Sequence, residues 1–224
     1  MRQLICLILL LYLHSTSTAQ SDFIIKIFRL IPSSKVYNLS LATRDSMLVG
    51  KTYYPASNTS EEILAYNYGC SKSVSDYLYV SFSFETGQRG DGMIEIRSFK
   101  MTNGTNLILV SENSGVWQAN YQQKDLTTYI FTKEKNLVLY KQKILPTIKD
   151  SLFMKTSIPS LIKKEISNNS NTTFDLSHKN LMLCLNSNYI SNSDKLVRWL
   201  KGDKIYFSWT GNKFVKTKVD FLTN

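Results

Sequence analysis

From Leu78 to Glu85 the chain alternates, with Leu78, Val80, Phe82 and Phe84 apolar and Tyr79, Ser81, Ser83 and Glu85 between them. A period of two puts one set of side chains in a core and the other toward solvent, so this stretch predicts a half-buried strand. Gly87 to Gly92 supplies a turn, and Met93 to Phe99 returns with Ile94 and Ile96 inward, completing a hairpin. Shorter strands are predicted at 24–30, 36–42, 47–54, 107–111, 116–121, 127–132 and 137–141, punctuated by Gly, Asn, Asp and Ser. Many short strands with few helical stretches between them favour an antiparallel sandwich or barrel.

Past Ile144 the texture changes. Pro146 and Pro159 interrupt the pattern and Ser167 to Thr173 is a polar run, which reads as a linker or long loop excursion over 144–177. A C-terminal extension over 178–224 then brings a buried strand at Leu181 to Leu185 and a short helix opened by Asp194 and running to Lys201. Two closing strands, Lys204 to Thr210 and Lys213 to Leu222, flank Gly211-Asn212. The fold class expected is mainly β: an antiparallel sandwich over 20–143 followed by this strand-containing extension.

The first 19 residues change the picture most. Arg2 precedes an apolar run from Leu4 to Leu13, and Ser17 and Ala19 are placed for cleavage before Gln20, the layout of a secretory signal peptide. That run is about half the ~20 residues of a membrane-spanning helix, so the expectation is export, an extracellular location and no stable membrane insertion. Cleavage would leave about 205 residues, enough for a genuine core. It would also leave Cys70 and Cys184, which an oxidising compartment would join in one disulfide; two buried, unpaired thiols are the other reading. Five acceptor sequons, at Asn38, Asn58, Asn103, Asn168 and Asn171, fit a glycoprotein and mark positions that must face water. The net charge of +10 attracts polyanions, which outside a cell means sulfated glycans, acidic head groups and microbial surfaces, with nucleic acid an unlikely partner.

Between 36 and 142 the order of features resembles the extracellular CUB domain, especially divergent CUB-like modules of secreted nematode proteins. Tyr53-Tyr54-Pro55 stands in the place of the family's Tyr-Pro turn, and Tyr66-Asn67-Tyr68-Gly69-Cys70 where a cysteine precedes a strand. Tyr77 to Glu85, Asp91 to Arg97 and Ser114-Gly115 follow in order. The resemblance implies a jelly-roll sandwich, with at best one family cysteine, Cys70, kept and the distant Cys184 as its partner. Glu85 and Asp91 resemble two of the family's three calcium ligands, but no clear third acid stands near Thr132-Lys133-Glu134. A hard cation needs many oxygen ligands, so neither a metal nor another cofactor is expected. A weaker likeness is to jelly-roll adhesion modules of the MAM type.

Catalytic chemistry finds little support. After cleavage His178 is the one histidine left, which excludes an all-histidine zinc site and makes any histidine triad depend on a loop residue. Gly115-Val116-Trp117 has the lipocalin Gly-x-Trp form, but it falls mid-chain, and Trp117 reads as core. Two binding motifs remain. Arg89-Gly90-Asp91, placed at the tip of the predicted hairpin, has the form that integrins recognise. Lys213, Lys216 and Lys218 lie on the last strand, where Lys216 and Lys218 would share a face about 6 to 7 Å apart, suited to a polyanion. The expected function is an extracellular binding module for a protein or a polyanionic glycan or surface. A secreted hydrolase acting on glycans or peptides is the alternative.

Overall fold

A computed structural model describes residues 23–49, 67–74, 76–86, 88–116, 122–145, 147, 149–187, 190 and 192–221. Two antiparallel sheets carry the fold. The larger is a six-stranded meander, β1 (Asn67–Val74), β2 (Tyr77–Thr86), β3 (Gln88–Lys100), β4 (Asn106–Val116), β5 (Gln122–Phe131) and β6 (Leu137–Leu139), in which each strand pairs with the next in sequence. The smaller has the order β10-β9-β8-β7, from β7 (Asn171–Asp175), β8 (Leu181–Asn186), β9 (Lys204–Trp209) and β10 (Phe214–Asp220). The expected sandwich is present. Its sheets are joined as successive hairpins, whereas a jelly roll is built from Greek keys.

The larger sheet is covered on both faces. Leu78, Val80, Phe82, Ile94, Ile96, Ile108 and Val110 point to one side, where they form a core with Ile24, Ile27, Phe28, Ile31, Val36, Leu39 and Met47 of the N-terminal segment. Tyr77, Phe99, Leu107 and Leu109 point to the other and pack against Phe153, Ile166, Phe174, Leu183, Leu200, Ile205 and Phe214 of the C-terminal half. The middle sheet therefore holds the molecule together.

The strand expected at 24–30 is helical instead, and the one at 36–42 is turn and loop up to the start of a second helix. Residues 23–30 form α1, residues 33–35 a 3₁₀ turn, and Leu41–Leu48 helix α2, capped by Ser40 Oγ accepting from the Thr43 amide at 3.1 Å. Ile24, Ile27, Phe28 and Ile31 recur at the i, i+3, i+4, i+7 spacing of one helix face. That burial decides the conformation of β-branched residues which, taken singly, favour strands. The predicted strand at 47–54 overlaps α2 at its start and otherwise lies outside the described residues. Of the one predicted at 116–121, Val116 closes β4 and the rest, with Trp117, lies outside them.

The 144–177 segment is likewise structured and contributes to the core. It carries a 3₁₀ turn (Asp150–Leu152), α3 (Ser160–Asn168) and β7, and it buries Phe153, Met154, Ile166, Phe174 and Leu176. Further on, the short helix α4 (Asp194–Val197) has Ser193 at its N-cap position, one residue ahead of the predicted Asp194, and is shorter than expected. The strands predicted at 181–185, 204–210 and 213–222 match β8, β9 and β10 within two residues at each end.

The two sheets also meet through hydrogen bonds at one end. Trp209 Nε1 donates to the Lys100 carbonyl at 2.6 Å, and the Thr102 amide donates to the Gly211 carbonyl at 3.1 Å. Gly211 sits at φ +95°, and a Cβ there would come within 2.6 Å of Thr102 Cγ2. Glycine is therefore required where the β9–β10 turn crosses the β3–β4 turn.

Candidate functional site

A hollow of about 160 Å³ opens where the 151–163 stretch meets Lys201, lined by Ser151, Met154, Lys155, Thr156, Ile158, Lys163 and Lys201. Its floor is made by a bridge pairing Met154 with Leu200. On either side of it the Lys155 amide donates to the Trp199 carbonyl at 2.9 Å, and the Lys201 amide to the Phe153 carbonyl at 2.7 Å. Lys163 enters from the first turn of α3, where its amide donates to the Pro159 carbonyl at 2.9 Å and no side chain caps the helix. The unsatisfied amides of that turn add positive potential to the rim.

Three of the seven lining residues are lysines and none is acidic. Lys155 Nζ donates to the Arg198 carbonyl at 2.6 Å, and none of the three lysines joins a salt bridge among the described residues. Exposed cations without internal counterions remain available to an external anion, and such attraction is strongest at low salt.

A second polar cluster is buried between the sheets. Glu95 and Arg97, 4% and 3% exposed, project from β3 toward the smaller sheet. Tyr77 Oη donates to Glu95 Oε1 at 2.8 Å, while Arg97 donates to the Leu176 carbonyl, to the Ser177 carbonyl at 2.9 Å and to Asp76 Oδ2 at 3.2 Å. The Arg97 guanidinium also lies over the Tyr77 ring, 4.7 Å from its centre. Desolvation, aided by the nearby Asp175 charge, pushes the Glu95 carboxyl up to about 7. The same burial raises the Tyr77 hydroxyl and pushes the Cys184 thiol up to about 12.

A carboxyl titrating near neutrality is what a general acid needs. This one is turned inward, and the Leu176 amide that donates to it, with the Arg97 bonds to the Leu176 and Ser177 carbonyls, clamps the β7–β8 connection onto the middle sheet. The cluster works as a fastening between layers.

The residues singled out by sequence are scattered. Arg89, Gly90 and Asp91 lie inside β3, paired with Glu85, Phe84 and Ser83, because Thr86 pairs with Gln88 and leaves no hairpin tip at 89–91. Gly92, expected to end the turn, pairs with Phe82, whose ring occupies the space a Cβ would need. Glu85 and Asp91 share the β2–β3 ladder without being directly opposite, and no group of three potential metal ligands exists among the described residues.

Lys216 and Lys218 are separated by a register shift, since Lys216 pairs with Phe207 and Lys218 with Tyr206. Phe214 is buried and Val219 packs on the same core, a spacing of five that an unbroken period of two cannot produce. Lys216 thus keeps phase with Phe214 while Lys218 opposes Val219, so the shared lysine face is broken. Lys218 in addition pairs with Asp220. Lys213 is exposed beside the β9–β10 turn.

Cys184 on β8 carries a free thiol in this structure. Cys70 belongs to β1, at the edge of the other sheet. The apolar core and the Glu95–Arg97 cluster join the two halves.

Among the sequons, Asn38, Asn103 and Asn168 are exposed, and Asn58 lies outside the described residues. Asn103 stands in the β3–β4 turn with its Oδ1 accepting from the Thr105 amide at 3.0 Å and Thr105 Oγ1 at 2.7 Å. Asn171 is half-buried on β7, and its amide oxygen is enclosed without a hydrogen-bond partner. His178 is exposed and packs edge-on against Tyr206.

The lysine hollow was not visible to motif reading. Its three lysines come from positions 155, 163 and 201, and only folding of the expected linker brings them together.

A two-sheet antiparallel sandwich with one helical cover and an acid-free basic hollow defines the class of molecule. The chain is similar in fold to a domain of an uncharacterized protein from Porphyromonas gingivalis W83, with a TM-score of 0.55 and 12% identity over 87% of this chain and 97% of that one. At that identity the likeness concerns the fold alone. No protein-family model and no curated protein matches the chain. Among the described residues no helix is long and apolar enough to cross a membrane.

Proposed function

We propose that the protein is an exported binding module that takes polyanionic glycans or surfaces through the hollow of Lys155, Lys163 and Lys201. One observation carries the reading: the 151–163 stretch and the distant Lys201 deliver three lysines to a single concavity to which no acidic side chain contributes. A solvated basic face would intersperse its lysines with carboxylates, as Lys218 and Asp220 do on β10. The signal-like N-terminus and the sequons support binding outside the cell, where sulfated and phosphorylated polymers would supply the anion.

Heparin-affinity chromatography tests it. Replacing Lys155, Lys163 and Lys201 together by alanine is expected to lower the salt needed for elution well below that of a Lys213→Ala, Lys216→Ala, Lys218→Ala variant, although the latter removes the same charge. Equal losses would reduce the effect to net charge. Absence of retention by the unmodified protein at low salt would end the proposal.

A further inference from the structure

Arg44 is one of the largest fully buried side chains in the molecule, at 2% exposure, yet no carboxylate pairs with it among the described residues. Its Nε donates to the Leu39 carbonyl at 3.0 Å, and Nη1 donates to the Phe28, Arg29 and Ile31 carbonyls at 2.8, 3.3 and 2.6 Å. The Phe28, Arg29 and Ile31 carbonyls belong to the end of α1 and the turn after it, where a helix presents its negative pole, and the Leu39 carbonyl lies just ahead of α2. The guanidinium also lies 5.7 Å from the centre of the Phe28 ring. Dipoles and a ring face offset part of the cost of desolvating a cation, but they supply no counter-charge. Nη2 makes no hydrogen bond to any described residue.

Beside this side chain opens a hollow of about 290 Å³, lined by Arg29, Ile31, Ser33, Leu39, Ser40, Leu41 and Arg44. At ~30 Å³ for each water, that is room for about ten waters, or for a ligand of a few heavy atoms. Leu41, 58% exposed, gives the hollow an apolar side chain, Ser33 and Ser40 are its polar neighbours, and no acid lines it. Arg29, the other cation, is committed to Asp45 at 2.7 Å.

We propose that this hollow binds a small organic carboxylate with a short apolar tail, its carboxylate on the free edge of Arg44 and its tail against Leu41, which is 58% exposed. A guanidinium is shaped for a carboxylate, and in a dehydrated setting such bonds are stronger than neutral ones. The site is separate from the lysine hollow and does not depend on export or on polyanion binding.

Hexanoate labelled with ¹³C at its carboxyl is the probe, titrated at pH 7 and followed by the shift of the labelled resonance. Saturable binding is expected, with hexan-1-ol a poor competitor and the Lys155→Ala, Lys163→Ala, Lys201→Ala variant unaffected. Arg44→Met should weaken binding about ten- to a hundred-fold, the range of one lost charge-assisted hydrogen bond. Because Arg44 also fastens α1, that variant is paired with Ser33→Asp, an exposed change that sets a competing carboxylate on the lining and should weaken hexanoate comparably. If Arg44→Met does not fold, Ser33→Asp decides alone. No saturable shift, competition by hexan-1-ol as strong as by unlabelled hexanoate, loss of binding in the triple lysine variant, or unchanged affinity in Ser33→Asp would each overturn the proposal.

Discussion

Replacing Glu95 by glutamine should flatten the dependence of stability on pH between about 5 and 7. In the folded protein this carboxyl is pushed from its ordinary 4.5 up to about 7, first by desolvation and then by the Asp175 charge. Tyr77 and the Leu176 amide, which donate to it, and Arg97 on its own strand oppose the rise without cancelling it. A carboxyl raised on folding keeps its proton in the native state after the unfolded chain has released one. Native protein then binds more protons over that interval, and stability falls as pH climbs through it. The gap between 4.5 and about 7, at ~1.4 kcal/mol for each pH unit, amounts to about 3 kcal/mol, or a fall of ~6 to 12 °C in Tm for a chain of this size. Glutamine is a neutral isostere that can still accept from Tyr77, so the variant should resemble wild type near pH 4.5 and exceed it at pH 7.5. Asp125, lowered below the ordinary range despite partial burial because Lys35 donates to it, acts with the opposite sign and at lower pH. Urea unfolding at pH 4.5, 5.5, 6.5 and 7.5 measures both proteins. Parallel curves for the two would show that Glu95 is not the group responsible, and a wild-type stability that climbs from pH 5 to 7 would refute the inter-sheet burial from which the argument starts.

Other expectations follow from single contacts. Ile27→Ala on α1, a fully buried site, should cost about 2 to 5 kcal/mol in urea unfolding, whereas a peripheral N-terminal segment would tolerate it almost freely. Gly211→Ala should destabilise by about 1 kcal/mol or more, because it forces a side chain into a positive-φ position against Thr102; a neutral result would show that the two turns do not cross as described. Cys184, with its thiol held up to about 12 by burial, should resist alkylation at pH 8 in the native protein and react readily in urea. Peptide mapping that finds it in a disulfide would reverse the free-thiol assignment.

The β2–β3 hairpin was legible because its period of two is uninterrupted and long, and the structure extends it at both ends. What the pattern concealed is that both faces of the sheet are buried. Tyr77, Glu95 and Arg97 occupy positions that alternation assigns to solvent, yet they meet the C-terminal half. Sequence supplies no sign of that second layer, since the segment that brings it contains two prolines and a run of Ser, Asn and Thr. Just beyond that run, however, Phe174 and Leu176 keep a period of two, and both are buried. The α1 helix carried a readable signal of another kind, for Ile24, Ile27, Phe28 and Ile31 fit a helix face, but β-branched residues in a short window favour a strand reading when taken one by one. The lysine positions fail for a different reason. A bulge such as the one between Lys216 and Lys218 inverts the facing of everything beyond it and has no marker in composition. Conversely Lys155, Lys163 and Lys201 look unrelated until the Met154–Leu200 bridge closes the chain on itself. Local periodicity can thus locate strands, while the concavities in which a ligand can sit arise from long-range closures, and in this chain the candidate chemistry follows the closures.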